Sequence, residues 1–159
     1  MAKKAKTNAI RKLDALKIKY EEHEADVDGT KTGVEVSIAL GQNPDKCFKT
    51  LVTVGKTGEH YVFMVPVAEE LDLKKAAAAV GEKSVEMVKS KELLGLTGYI
   101  HGGCSPIGMK KFFKTTCHIS AKNFDTICYS GGRIGLQLET TPQDLGKVID
   151  YQFADIIRQ

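Results

Sequence analysis

Cys47-Phe48-Lys49-Thr50-Leu51-Val52-Thr53-Val54 is the stretch on which the reading of this chain turns. β-Branched and aromatic residues fill it, and Asn43-Pro44-Asp45 and Gly55 bound it, so it reads as a strand. Both of its faces are apolar, and one lysine breaks the pattern. Side chains alternate along a strand, so Cys47, Lys49 and Leu51 share one face while Phe48, Thr50 and Val52 share the other. An ionised lysine inside such a strand must be desolvated, which is costly unless an anion meets it. Two readings are open. Lys49 faces water from a half-exposed strand, or it points into a cleft to hold a phosphate or carbonyl oxygen or to act as a base of lowered pKa.

Outward from this strand the pattern is mixed. Lys56-Thr57-Gly58 turns the chain into a second strand, Tyr61 to Val65, as a hairpin. Upstream, Thr7 or Asn8 caps a helix with Ile10, Leu13 and Leu16 as its apolar stripe. A strand is predicted over Ile18 to His23. Thr32-Gly33-Val34-Glu35 is a capping box that opens a short helix ending near Gly41. Downstream, Asp72 caps a helix from Leu73 to Val80 that Gly81 ends. Val85 to Val88 reads as a short strand, and Ser90 starts a helical turn that stops near Gly95. Strands are predicted at Phe112 to Ile119, Thr126 to Ser130 and Ile134 to Leu138, with Gly131-Gly132 turning between the last two. Thr141-Pro142 starts a last helix. Strands interspersed with a few helices imply one α+β domain over residues 1–159, with about 1–7 as a flexible basic N-terminus.

Gly102-Gly103-Cys104-Ser105-Pro106-Ile107-Gly108 is the second unusual stretch. Its bare backbone could approach a ligand closely. It fits neither the Walker loop nor the dinucleotide fingerprint, and a tight turn is the plain alternative. Cys104 tempts a nucleophile reading, which needs a histidine base, and nothing in the pattern selects one from His101, His118 and His23. Ser130-Gly131-Gly132-Arg133 reads first as a hairpin turn, with Ser130 able to reach a pocket edge.

Composition narrows the class. The chain has 159 residues, 42% hydrophobic and 27% charged, which suits one soluble globular domain. No apolar run approaches the ~20 residues of a membrane-spanning helix, and no apolar region follows the basic start, so a cytoplasmic protein is expected. Cys47, Cys104, Cys117 and Cys128 show no CxxC spacing, which argues for free thiols and against a zinc site. The net charge is +3, but its distribution is uneven. Lys3, Lys4, Lys6, Arg11, Lys12, Lys17 and Lys19 crowd the start, and Lys110, Lys111, Lys114 and Lys122 follow the glycine loop. Such patches suit a polyanion such as RNA, or are simply solvated faces.

Six motifs occur in order: Phe48-Lys49-Thr50-Leu51-Val52, Leu73-Lys74-Lys75-Ala76-Ala77, Thr97-Gly98-Tyr99, Gly102 to Gly108, Ser130-Gly131-Gly132 with Gly135-Leu136, and Pro142-Gln143-Asp144-Leu145. Together they resemble the YbaK/EbsC family of Cys-tRNA(Pro) deacylases, related to the editing domain of bacterial prolyl-tRNA synthetase. The resemblance runs from about residue 8 to the C-terminus. It implies a mixed, barrel-like sheet flanked by helices. It implies a cofactor-free trans-editing deacylase that clears cysteine mischarged onto tRNA(Pro), with tRNA(Cys) as a further candidate and prolyl-tRNA synthetase as a candidate partner. In this family the substrate's own thiol is thought to attack its ester and leave as a thiolactone, so the enzyme supplies positioning and electrostatics. The family lysine maps onto Lys49 as the catalytic residue. Thr50, Gly102, Gly103, Cys104 and Ser130 map onto the substrate pocket. The chain departs from the family where some relatives carry aromatic residues, here at Ala25 and Thr32, and at Cys104, where relatives often have an aliphatic residue. These positions bear on amino-acid specificity. The rival readings are an Ala-tRNA(Pro) deacylase, a non-catalytic module that binds tRNA or synthetase, and a thiol-redox protein built on Cys104.

Overall fold

The computed structural model describes residues 5–159; Met1 to Lys4, the start of the expected basic N-terminus, lie outside the described residues. Strand β2 (Cys47–Gly55) and strand β3 (His60–Pro66) form the expected antiparallel hairpin, with Lys49 opposite Val65. All five residues from Val62 to Pro66 are buried. Phe63 and Val65 pack on helix α3 (Leu73–Val80), while Val62 and Met64 point into the other half of the core. A sheet covered on both faces explains the continuous apolar run. Strand β5 (Lys114–His118) extends the sheet beyond β3, and strand β8 (Tyr151–Ala154) extends it beyond β5, both in parallel.

The other edge of β2 is shared. Strand β6 (Ile127–Ser130) pairs with its start in parallel, through Cys47↔Cys128 and Phe48↔Tyr129. Strand β4 (Val85–Met87) pairs with its end, from Thr53↔Met87 to Gly55↔Val85. Strand β7 (Leu136–Thr140) lies antiparallel to β6, and strand β1 (Glu21–Glu24) antiparallel to β7. The result is the expected α+β architecture: an eight-stranded mixed sheet in the order β1-β7-β6-β2-β3-β5-β8, with β4 beside β2, flanked by five helices.

The helices begin where their caps dictate. Thr7 caps α1 (Asn8–Ala15), and the Thr32–Glu35 capping box opens α2 (Gly33–Ala39). Asp72 caps α3, and Thr141 caps α5 (Pro142–Val148). Several boundaries differ from expectation. Leu16 is the C-cap of α1 and 45% exposed, so the buried stripe is Ala9, Ile10 and Leu13. Helix α4 (Ser90–Thr97) runs through Gly95 and ends only at Gly98, which takes the left-handed conformation. β1 lies at Glu21–Glu24 and not at Ile18–His23. β7 starts two residues late because a turn donating from Leu136 N–H to the Arg133 carbonyl uses up Ile134 and Gly135. β5 starts at Lys114, leaving Phe112 outside the strand.

Candidate active site

β6 runs beside β2 for two residue pairs and then diverges, and β4 joins the same edge only near Val52. From Lys49 to Leu51 that edge of β2 has no ladder partner among the described residues. The fork holds a cavity of about 260 Å³, near the small end of ligand pockets. Lys49, Thr50 and Leu51 line it from β2, Leu93 from α4, Gly102 and Cys104 from the glycine loop, and Ser130 from the end of β6. Thr32 and Val36 close it from α2, and Ile134, Leu136 and Gln137 from the β6–β7 connection and β7.

Lys49 is half-buried, and its side chain makes no hydrogen bond or ion pair among the described residues. Burial pushes its ammonium below the ordinary lysine range, against the pull of Glu70 and Glu69. Thr50 is its neighbour on the opposite face of the strand. The Thr50 hydroxyl oxygen is buried and has no partner among the described residues. A buried polar atom without a partner costs free energy unless something arrives to bond it. The cavity therefore presents an unpaired cation, and Thr50, whose hydroxyl is buried, forms part of the wall beside it.

The glycine loop forms the facing wall. Tyr99 donates its buried hydroxyl to the Ile107 carbonyl at 2.6 Å, and the Ser105 hydroxyl accepts from the Ile107 N–H at 3.2 Å. Gly102 lies on the cavity wall. Gly103 does not, and its place is structural: a Cβ there would sit 3.0 Å from the Arg133 Cα and 3.2 Å from the Ile134 nitrogen. Gly103 thus lets the loop lie directly against the backbone of the β6–β7 connection. Cys104 is buried, and burial pushes its thiol up to about 11, so it is neutral near pH 7. Ser130 Oγ accepts from the Gly132 N–H at 3.2 Å and has no histidine partner among the described residues. Neither side chain is an activated nucleophile.

Of the two positions at which the resemblance implies a departure from the family, Thr32 lines the cavity and Ala25 does not. The sequence reading weighed His101 only as a base for Cys104, and missed Lys31, Ile134 and Gln137, all of which line the cavity. Gln137 is buried and donates its amide to Ser37 Oγ at 3.1 Å, which fixes the wall behind β2. Its alternation with the apolar residues of β7 was the available signal, obscured by the misplaced start of that strand.

The four cysteines are free and buried. Strand pairing also brings Glu21, His23 and Glu139 together, which no spacing announced. Glu139 is already occupied there: His23 Nε2 donates to Oε1 at 2.8 Å, and Lys46 Nζ and Thr126 Oγ1 donate to Oε2 at 2.8 and 2.5 Å.

Comparison with known proteins agrees with this geometry. A family model described as an aminoacyl-tRNA editing domain matches residues 27–148. EbsC of Enterococcus faecalis, a candidate Cys-tRNA(Pro)/Cys-tRNA(Cys) deacylase, is 44% identical over 160 residues, 98% of each chain. A proline–tRNA ligase of Pelobacter propionicus is 31% identical over 81 residues, covering 51% of this chain and 14% of the ligase. The crystal structure of a candidate trans-editing enzyme for prolyl-tRNA synthetase superposes with a TM-score of 0.81 at 27% identity, over 98% of this chain and 100% of the other. A family model over most of the chain and a full-length relative at this identity lead to one conclusion: the chain belongs to the aminoacyl-tRNA editing domain family.

Proposed function

We propose that the protein is a trans-editing deacylase that releases cysteine from Cys-tRNA(Pro), with Lys49 as the residue that holds the reacting end in place. The reaction class, aminoacyl-tRNA deacylation, is that of the family. The likeness to EbsC supports cysteine on tRNA(Pro) as the substrate, and the likeness to the trans-editing enzyme supports the link to prolyl-tRNA synthetase. One observation supports the mechanism above the rest. Among the described residues the cavity has an unpaired lysine but no activated nucleophile. Attack must then come from the substrate or from water.

A cysteinyl ester carries its own nucleophile. Its sulfur attacks the ester carbonyl, a C–S bond forms, the ester C–O bond breaks, and the thiol proton passes to the leaving ribose oxygen. The products are free tRNA and a cyclic thiolactone. Lys49 would draw the carbonyl or ribose oxygen toward its ammonium, and the Thr50 hydroxyl and the Gly102 backbone would fix the aminoacyl group. Cys104 and Ser130 contribute pocket wall. Discrimination by fit alone is weak, about 1–3 kcal/mol per methylene. A reaction that needs the substrate's thiol gains selectivity from chemistry, because an alanyl or seryl ester binds and does not cyclise. We place this work in the cytoplasm, with prolyl-tRNA synthetase as the partner that presents the tRNA.

Single-turnover deacylation of Cys-tRNA(Pro), Ala-tRNA(Pro) and Ser-tRNA(Pro) tests the reading, with wild type and Lys49→Ala side by side. Rapid loss of cysteine alone, abolished in Lys49→Ala, is expected. Loss of alanine instead would point to attack by water and overturn the mechanism. No turnover of any of the three would overturn the substrate assignment.

A further inference from the structure

The glycine loop has two sides, and the reaction uses one. Pro106, Gly108 and Met109 turn the other way and line a second cavity of about 370 Å³ with Lys12, Phe112, Phe113, Thr115, Val148, Ile149 and Asp150. Three features of this cavity are unusual together. Phe112 lies outside the strand that follows it and is 53% exposed, the one aromatic ring among the exposed large apolar side chains of the described residues. Lys12 lines the cavity, its side chain with no hydrogen bond or ion pair among the described residues. The exposed Asp150 carboxylate stands on the same cavity, equally unpaired among the described residues.

The fold also joins what the sequence keeps apart. Gly108 lies against the start of α1, where a Cβ would sit 2.9 Å from the Asn8 carbonyl carbon and 3.0 Å from the Ala9 nitrogen. That contact seats the N-terminal helix, with exposed Arg11 and Lys12, against the loop that leads into exposed Lys110, Lys111 and Lys114. Lys12 is the cation that lines the cavity, and exposed Arg11 and Lys111 adjoin its lining residues Lys12 and Phe112 in the chain. An exposed aromatic ring, a cation and a free carboxylate line this one cavity. The ring stacks a base, the cation meets a phosphate, and the carboxylate accepts from an exocyclic amino group.

We propose that this second cavity is a nucleotide subsite for the unpaired 3′ end of the RNA, taking a base with an exocyclic amino group between Phe112 and Asp150 and its phosphate on Lys12. This rests on the reading of the protein as an editing enzyme of charged tRNA. The distances are compatible: Cys104 on the reaction cavity and Pro106 on this one are two residues apart, at most about 7 Å of chain. That is close to the length of one nucleotide of extended strand.

The test is direct binding, read without turnover. Fluorescence anisotropy of labelled, uncharged ACCA and UUUU tetranucleotides would be measured with wild type, Phe112→Ala, Phe112→Trp and Asp150→Asn. The expected results are preference of wild type for ACCA over UUUU and a loss on the order of 10-fold in Phe112→Ala. Phe112→Trp should restore binding, and the base preference should collapse in Asp150→Asn. Thermal melts that match wild type would show that the variants fold. ACCA binding that is absent in wild type, or unaltered in both Phe112→Ala and Asp150→Asn, would overturn the proposal. So would concentration-dependent self-association lost in Phe112→Ala, because the groove would then belong to a second copy. The assay uses no ester, so failure of the deacylation reading leaves its result intact, and the converse holds.

Discussion

At the scale of single residues, Lys49 is where stability and function conflict. Its ammonium is half-buried without a close partner, and burial lowers its pKa. Between its lowered value and the ordinary lysine value, the unfolded chain binds the proton that the folded chain gives up. Stability therefore rises with pH across that window, and below it the charge costs stability. Lys49→Met keeps the length of the side chain and removes the charge. It should cut single-turnover deacylation at least 100-fold while raising stability by about 0.5–1 kcal/mol, or roughly 1–4 °C in Tm. Rates and urea melts on the same preparation decide it, and the stability gap to wild type should narrow as pH rises through the lowered lysine pKa. A lower Tm for Lys49→Met would make Lys49 a structural residue. The lysine was legible in the sequence because it interrupts an apolar strand. Thr50 entered only through the family resemblance, since its hydroxyl is unremarkable until burial leaves it without a partner among the described residues.

At the scale of elements, two glycines separate constraint from tolerance. Gly103 is pinned against the Arg133 and Ile134 backbone, which cannot retreat without moving the end of β6 and Ser130 with it. Gly103→Ala should lower kcat/KM by about 10–100-fold, because a wall displaced by a fraction of an ångström misplaces the ester, and should cost about 1–3 kcal/mol of stability. Gly95 lies inside α4 with nothing within 4 Å of the position a Cβ would take. Gly95→Ala should stabilise by about 0.5–1 kcal/mol with unchanged kinetics. Thermal melts and steady-state kinetics of the pair give both answers, and a destabilised Gly95→Ala would refute the open space assigned to that position. The same contrast shows what the sequence hides. Gly95 read as a helix end because glycine usually is one, but Gly98 supplies the left-handed cap three residues later. β8 went unread because four residues directly after a helix carry too short a pattern. The caps at Thr7, Thr32, Asp72 and Thr141 were legible because their signal is local.

At the scale of the whole molecule, the site exists because of strand order, and strand order is the least local fact in the sequence. Cys47 and Cys128 are neighbours in space across eighty residues of chain, and the cavity is the place where their strands part. No spacing rule announces that. The fork is held on its outer side by Glu139 on β7. This carboxylate accepts from His23 on β1, from Lys46 just before β2 and from Thr126 just before β6. Its side chain is 13% exposed, and that of Lys46 is 19% exposed. Burial pushes the Glu139 carboxyl up, but the hydrogen bonds from Lys46, Thr126 and His23 outweigh it and hold the group at about 2. A carboxyl depressed on folding contributes stability above its unfolded pKa, near 4.3, and loses it as pH falls toward the folded value. Glu139→Gln should therefore cost about 1–3 kcal/mol at pH 7, and the difference from wild type should shrink as pH falls from about 4.5 to about 2. Urea unfolding of both proteins at pH 7, 4 and 3 measures this. If the difference stays constant down to pH 3, the clasp acts through packing and not through its charge. If it closes, the loss of deacylation at acid pH should follow the same curve, because the fork opens when the clasp is protonated.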